Sequence, residues 1–133
     1  MNADDLPEER RERIAADPFC NSLGIDLVRL EPGVAVTSVE ITEDMCNFHG
    51  TTHGGLINTL ADAAFAAASN SHGDTAFALE TNISFLEAAD VGDTLLATAE
   101  ETHLTRRTAE YEVVVETDAG DRIATFRGRV YRP

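Results

Sequence analysis

The stretch Gly54–Ser69 contains no proline and, after Gly54 and Gly55, no further glycine. Alanine and leucine dominate it, and these are the strongest helix formers. The residues before it, Asn47-Phe-His-Gly50-Thr-Thr-His53, are polar and broken by glycine. The pattern therefore predicts a loop feeding an apolar helix from about Gly54 to Ser69. One residue stands out. Asp62 lies in Leu-Ala-Asp-Ala-Ala-Phe-Ala, with apolar neighbours on both sides. A helix apolar all round is a buried helix, and a carboxylate on it must find a partner, take up a proton or serve chemistry.

A helix of that kind needs a sheet to cover it, and the flanking sequence supplies strands. Residues 5–17 read as a short surface helix, with Pro7 in the first turn, acids early, arginines after them and Pro18 as the stop. Phe19 to Leu23 should be a packed connector. Gly24–Leu30 and Val34–Ile41 alternate as two strands around the turn Glu31-Pro32-Gly33. Beyond Gly73, Phe77–Leu86, Thr94–Thr102, Thr108–Thr117 and Ile123–Tyr131 read as four more strands. Strand and helix do not alternate as a Rossmann sheet requires. The expected class is α+β: a six-stranded, mostly antiparallel curved sheet wrapped around one long central helix. Residues 1–133 are expected to be a single domain, with 1–18 as an N-terminal helical extension.

Charge narrows the range of functions. There are 24 acidic and 10 basic residues, a net charge of −14, and all the basic residues are arginine. Nonspecific nucleic-acid binding needs cationic surface, so it is not expected. No apolar run reaches the ~18 residues of a membrane helix, and the acidic N-terminus is the opposite of a signal peptide. The expectation is a cytoplasmic protein that does not engage membranes. Such an acidic surface also suits concentrated salt, where screening removes self-repulsion. Cys20 and Cys46 form neither a metal spacing nor a Cys-x-x-Cys motif and read as free thiols.

Three groups of residues resemble the hotdog-fold acyl-CoA thioesterases, and among them the PaaI-like (phenylacetic-acid-degradation) group. The first is Asn47-x-x-Gly50-x-x-His53-Gly54-Gly55 followed by Leu60-Ala-Asp62-x-Ala-Phe65-Ala. The second is Ile83-Ser-Phe-Leu86 with Val91-Gly92-Asp93-x-Leu95. The third is Arg106-Arg107-Thr108, Tyr111-Glu112-Val113 and Phe126-Arg-Gly128-x-x-Tyr131. The resemblance covers about 25–133. It implies hydrolysis of an acyl-CoA with no cofactor; it says little about which acyl group is cleaved, and aryl and medium-chain groups are the candidates. It also implies a homodimer joined edge to edge, commonly paired again into a homotetramer. Each site would take the helix N-terminus from one chain and the carboxylate from the other.

The residues themselves support a parallel reading. Gly54 and Gly55 open the helix, where amides lack intrahelical partners and the dipole is positive; they suit a thioester oxyanion, or simply a tight turn. Asp62, eight residues on, is about 12 Å away along the axis, so one chain cannot easily bring both to one carbonyl. Asp62 suits a nucleophile or a general base, or else a buried acid bonded to nearby hydroxyls. The resemblance implies that Asn47 lines the site and holds the substrate carbonyl or the water; His53, just before the glycines, can orient the loop or contact the thioester, and Thr59 either bonds Asp62 or bonds back to the helix. Leu56, Ile57, Leu60 and Phe65 are expected to contribute to the acyl pocket. Arg106 and Arg107, with Arg129 and Arg132 behind them, are candidates for the CoA phosphates.

The remaining polar residues are expected to do less. His49 and His53 stand four apart in a loop with no third ligand, so no metal is expected. His72 and His103 read as surface residues and Glu80 as a solvent-facing strand position. Ala78 stands where some relatives carry an assisting Ser or Thr. The alternatives are a hotdog module that binds acyl-CoA without cleaving it and a hydratase or dehydratase.

Overall fold

The computed structural model of the chain describes residues 6–133. Two short helices come first, α1 (Glu8–Ala15) and α2 (Pro18–Ser22), followed by β1 (Asp26–Glu31) and β2 (Val34–Glu40). A single 3-10 turn (Glu43–Met45) and a loop lead into α3 (Gly54–Ser69), and then come β3 (Phe77–Phe85), β4 (Thr94–Leu104), β5 (Thr108–Thr117) and β6 (Arg122–Tyr131). Asp5, where the first helix was expected to start, and residues 1–4 lie outside the described residues. Pro18 does more than stop a helix. It occupies the first turn of α2, whose N-cap Asp17 accepts a hydrogen bond from the Cys20 amide. A proline lacks only a donor that is unpaired at that position anyway. Phe19, expected to be packed, is 62% exposed.

The six strands form one sheet in the order β1-β2-β4-β5-β6-β3, and every neighbouring pair is antiparallel. The hairpin between β1 and β2 turns at Gly33, whose φ of 77° a side chain would strain. The long passage through α3 carries the chain from one side of the sheet to the other, so β3 pairs only with β6 and becomes an open edge.

Helix α3 contacts all six strands. Its inward side, including Leu56, Ile57, Leu60, Ala61, Ala64, Phe65, Ala67 and Ala68, is buried. The sheet meets it with the alternate residues of each strand, such as Tyr111, Val113 and Val115 on β5. Phe65 lies edge-on to Tyr111 at 5.8 Å and tilted to Phe126 at 5.6 Å between ring centroids. Gly128 makes room for it: a Cβ there would come within 2.6 Å of the Phe65 ring. Burying a ring of this size stabilises the fold by roughly 3–5 kcal/mol, judged by what truncation to Ala costs.

The helix is not buried on all sides. Gly55, Asp62 and Ala66 are exposed, with Thr59 and Ala63 half-buried beside them. These positions fall on one face at helical spacing. Their apolar neighbours in sequence misled the reading, because alanine is at home on an open helix face as well as in a core.

Candidate active site

The loop before α3 is held by its own backbone and side chains. The Asn47 Oδ1 accepts from the His49 and Thr51 amides at 3.0 and 3.2 Å and from the Thr51 hydroxyl at 3.3 Å. Asn47 thus organises the loop with its carbonyl and keeps its Nδ2 as a donor. Thr52 is buried and its hydroxyl donates to the Ala89 carbonyl at 2.8 Å, while the His53 amide donates to Met45 O at 2.8 Å. The helix N-terminus is therefore pinned to the rest of the fold.

The two glycines at that terminus differ. His53 is the N-cap, and its Nδ1 accepts from the Gly55 amide at 2.8 Å. The neutral ring then carries its proton on Nε2. A Cβ on Gly55 would lie 2.9 Å from that Nδ1, so a side chain here would break the cap. The Gly55 amide is thus already satisfied within the chain, which corrects the expectation that both glycines offer donors. The Gly54 amide makes no hydrogen bond among the described residues. Gly54 lines a shallow cavity of about 250 Å³ beside Phe85, whose ring would be 3.1 Å from a Gly54 Cβ.

Asp62 opens elsewhere, into a cavity of about 280 Å³ shared with Asp17, Cys20 and Thr37. Its carboxylate has no hydrogen-bond partner among the described residues. Loss of hydration, and next the charge of Asp17, raise its pKa above the usual carboxylate range. Solvent reaches one side of Asp62 while protein encloses the rest. Thr59 does not help it: its hydroxyl donates to the Gly55 carbonyl at 2.8 Å, one turn back. The Cys20 thiol, in the same cavity, is pushed up to about 11 by burial and then by Asp17, which makes it a poor nucleophile.

Three residues expected at the substrate lie in the core. Phe65 is 1% exposed and sits under the sheet, and Ile57 and Leu60 are equally enclosed. Leu56 only touches a cavity of about 250 Å³ beside His53 and Gly55. Arg106 and Arg107 are exposed in the β4–β5 turn, Arg107 with the Tyr131 hydroxyl at 3.5 Å. The backbone ties that turn to the last strand, with the Arg132 guanidinium donating to Thr105 O at 2.6 Å and its amide to Arg107 O. Glu80 is exposed and lies 3.6 Å from Arg127, which donates to Glu110 at 2.6 Å. Ala78 is exposed on β3, and His103 is exposed on β4.

His72 is not a plain surface residue. Its Nε2 lies 2.8 Å from the Glu101 carboxylate, and the same oxygen accepts from the buried Tyr111 hydroxyl at 2.6 Å. Burial, followed by Glu101, holds the phenol proton more tightly than usual. Nothing local in the sequence signals this cluster, because its members come from two separate strands and the loop after α3.

The sequence pattern of the Thioesterase superfamily matches residues 49–124. The chain belongs to this superfamily. It is 39% identical over 116 residues to the acyl-coenzyme A thioesterase PaaI of Escherichia coli K12, covering 87% of this chain and 83% of that one. The solved structure of the E. coli PaaI protein superposes with a TM-score of 0.90 at 36% identity, covering 95% and 91% of the two chains. The crystal structure of the TT0310 protein of Thermus thermophilus gives 0.84 at 43% identity, covering 88% and 98%. A Streptococcus mutans protein solved bound to acetyl CoA gives 0.78 at 29%, covering 82% and 88%. Together with the sheet around α3, these relatives make the fold a hotdog. No helix among the described residues is long and apolar enough to cross a membrane.

Proposed function

We propose that this chain hydrolyses acyl-CoA thioesters to a carboxylate and free CoA, at sites shared between two subunits. One observation carries the reading. Among the described residues the Gly54 amide and the Asp62 carboxylate have no hydrogen-bond partner, yet the two residues line different cavities on one helix, about 12 Å apart along its axis. Two copies packed antiparallel bring the amide of one to the carboxylate of the other. The open edge β3, with Phe77, Leu79 and Phe85 each more than half exposed, is the surface that joins them. Pairing of two such dimers would give a homotetramer.

In the reaction, Asp62 takes a proton from water as the water oxygen bonds to the thioester carbon. The raised proton affinity of Asp62 favours this general-base role over direct attack. The tetrahedral oxyanion receives the Gly54 N–H, with the helix dipole behind it, and the Asn47 Nδ2 is a second donor from the same loop. The C–S bond then breaks, and the departing thiolate takes the proton from Asp62. The exposed Arg106 and Arg107 would meet the CoA phosphates.

An acyl-CoA panel read with a thiol reagent tests the activity. Tight acyl-CoA binding with no thiol released would instead make the chain a binding module. Mixing inactive Asp62→Asn subunits with inactive Gly54→Ala subunits tests the sharing, and hybrid dimers should regain turnover. Proven exchange with no recovery would rule the shared site out.

A further inference from the structure

The N-terminal helices bring a second acid to Asp62. Asp17 and Asp62 are far apart in the chain, yet both line one cavity of about 280 Å³. Asp17 is held in place. It is the N-cap of α2, with Oδ1 accepting from the Cys20 amide at 3.0 Å and Pro18 following it in the first helical turn. Few other charges line this cavity. Arg13 of α1 does, but among the described residues it forms no salt bridge with either acid. Cys20 of α2 lines it too, and with its thiol pushed up to about 11 it carries no charge at neutral pH. The contributions of β1 and β2, such as Leu27 and Thr37, are uncharged, and α3 adds no charge beyond Asp62.

From this arrangement we infer that Asp17 tunes the proposed reaction through Asp62: its negative charge, fixed by the cap of α2, makes Asp62 the better acceptor for the proton of the attacking water. The inference rests on the thioesterase reading above. Asp17 acts on Asp62 and not on the substrate. A fixed negative charge beside a carboxylate favours the protonated form, and partial burial weakens the screening that would hide it. The effect comes second to loss of hydration in raising the proton affinity of Asp62, and both act in the same direction. A general base works best when its proton affinity approaches the working pH. The two N-terminal helices, expected as a surface extension, thereby take part in the site.

Asp17→Asn tests this, because asparagine keeps the cap and removes the charge. The readout is the pH profile of kcat/KM for the best acyl-CoA of the panel. Asp62 must be deprotonated to act as a base, so activity falls in acid. In Asp17→Asn that fall should begin at lower pH. On the acid limb, kcat/KM relative to its own neutral plateau should rise by ~2–10-fold. Asp17→Ser, another capping residue without the charge, should give the same profile. Molar KCl should move the wild-type limb in the same direction and move the limb of either variant less, since the charge to be screened is gone. A cap with no electrostatic role would show none of this. Carbon-13 NMR titration of the Asp62 carboxyl, run without substrate, should move downward in both variants. A wild-type acid limb and an unmoved NMR titration in the variants would overturn the inference while leaving the thioesterase reading intact. A wild-type chain whose Asp62 titration responds to Asp17→Asn but which hydrolyses no acyl-CoA would overturn the thioesterase reading, and the catalytic role of Asp17 with it.

Discussion

Two carboxylates of this protein are partly withdrawn from water, and the fold treats them in opposite ways. Glu101 on β4 is fully engaged. One of its oxygens accepts from Tyr111 at 2.6 Å and lies 2.8 Å from His72 Nε2. Asp62 on α3 has no hydrogen-bond partner among the described residues, and loss of hydration, followed by the charge of Asp17, acts against its ionisation. A carboxylate lacking partners costs stability, so its presence needs another reason. The contrast separates an acid tied into the structure from one left without a partner, the acid that the proposed reaction uses.

The largest expected break in this comparison is catalytic. Asp62→Asn keeps the shape and removes the proposed base, so turnover of the best acyl-CoA should fall by at least ~100-fold. Glu101→Gln should leave kcat within a few-fold of wild type. Comparable losses in both variants would erase the distinction.

Next in size is stability. Glu101→Leu leaves the buried Tyr111 hydroxyl without its acceptor, at a cost of roughly 1–3 kcal/mol and several degrees of Tm. Tyr111→Phe in the same background should recover part of that loss, because the stranded hydroxyl is gone. A Tm unmoved by Glu101→Leu would show the cluster to be incidental.

A smaller effect sharpens the Asp62 side. Its pKa is raised in the folded chain, so folding favours the protonated acid. The associated stability is fully present below the ordinary carboxylate pKa of about 4 and is lost as pH rises through the folded value. Asp62→Asn removes that loss. At neutral pH the variant should melt at a higher temperature than wild type, and the two curves should converge in acid. A lower Tm for the variant at pH 7 would mean that Asp62 is paired after all.

The weakest probe is salt. With a net charge of −14, the chain should gain Tm between low and molar KCl, as screening relieves repulsion across the surface and between Asp17 and Asp62. The gain should be smaller in Asp62→Asn. Equal or lower stability in high salt would argue against salt adaptation.

Most of the architecture was legible before the structure. The bounds of α3 and β5 match the periodicity reading residue for residue, because alternation and a glycine-gated alanine run are local properties. The candidate acid was legible for the same reason, as a charge among apolar neighbours. What was misread depended on distant partners or on side-chain geometry. Phe65 looked like a pocket residue until Tyr111, Phe126 and Gly128 enclosed it. Gly55 looked like a second donor until His53 claimed its amide. His72 looked solvated until Glu101 met it from β4.

Composition, hydrophobic period and turn residues by themselves determined six strands, one long helix, the loop that opens it and the acid upon it. Each is dictated by residues within a few positions of one another, over distances the backbone geometry controls directly. Only the tertiary structure decided which face of α3 stays open and which carboxylate goes unpaired. It alone brought Phe19, Cys20 and Ala66 to one cavity. Those outcomes turn on contacts between residues about 30 to 60 positions apart, and packing, not local preference, selects such contacts.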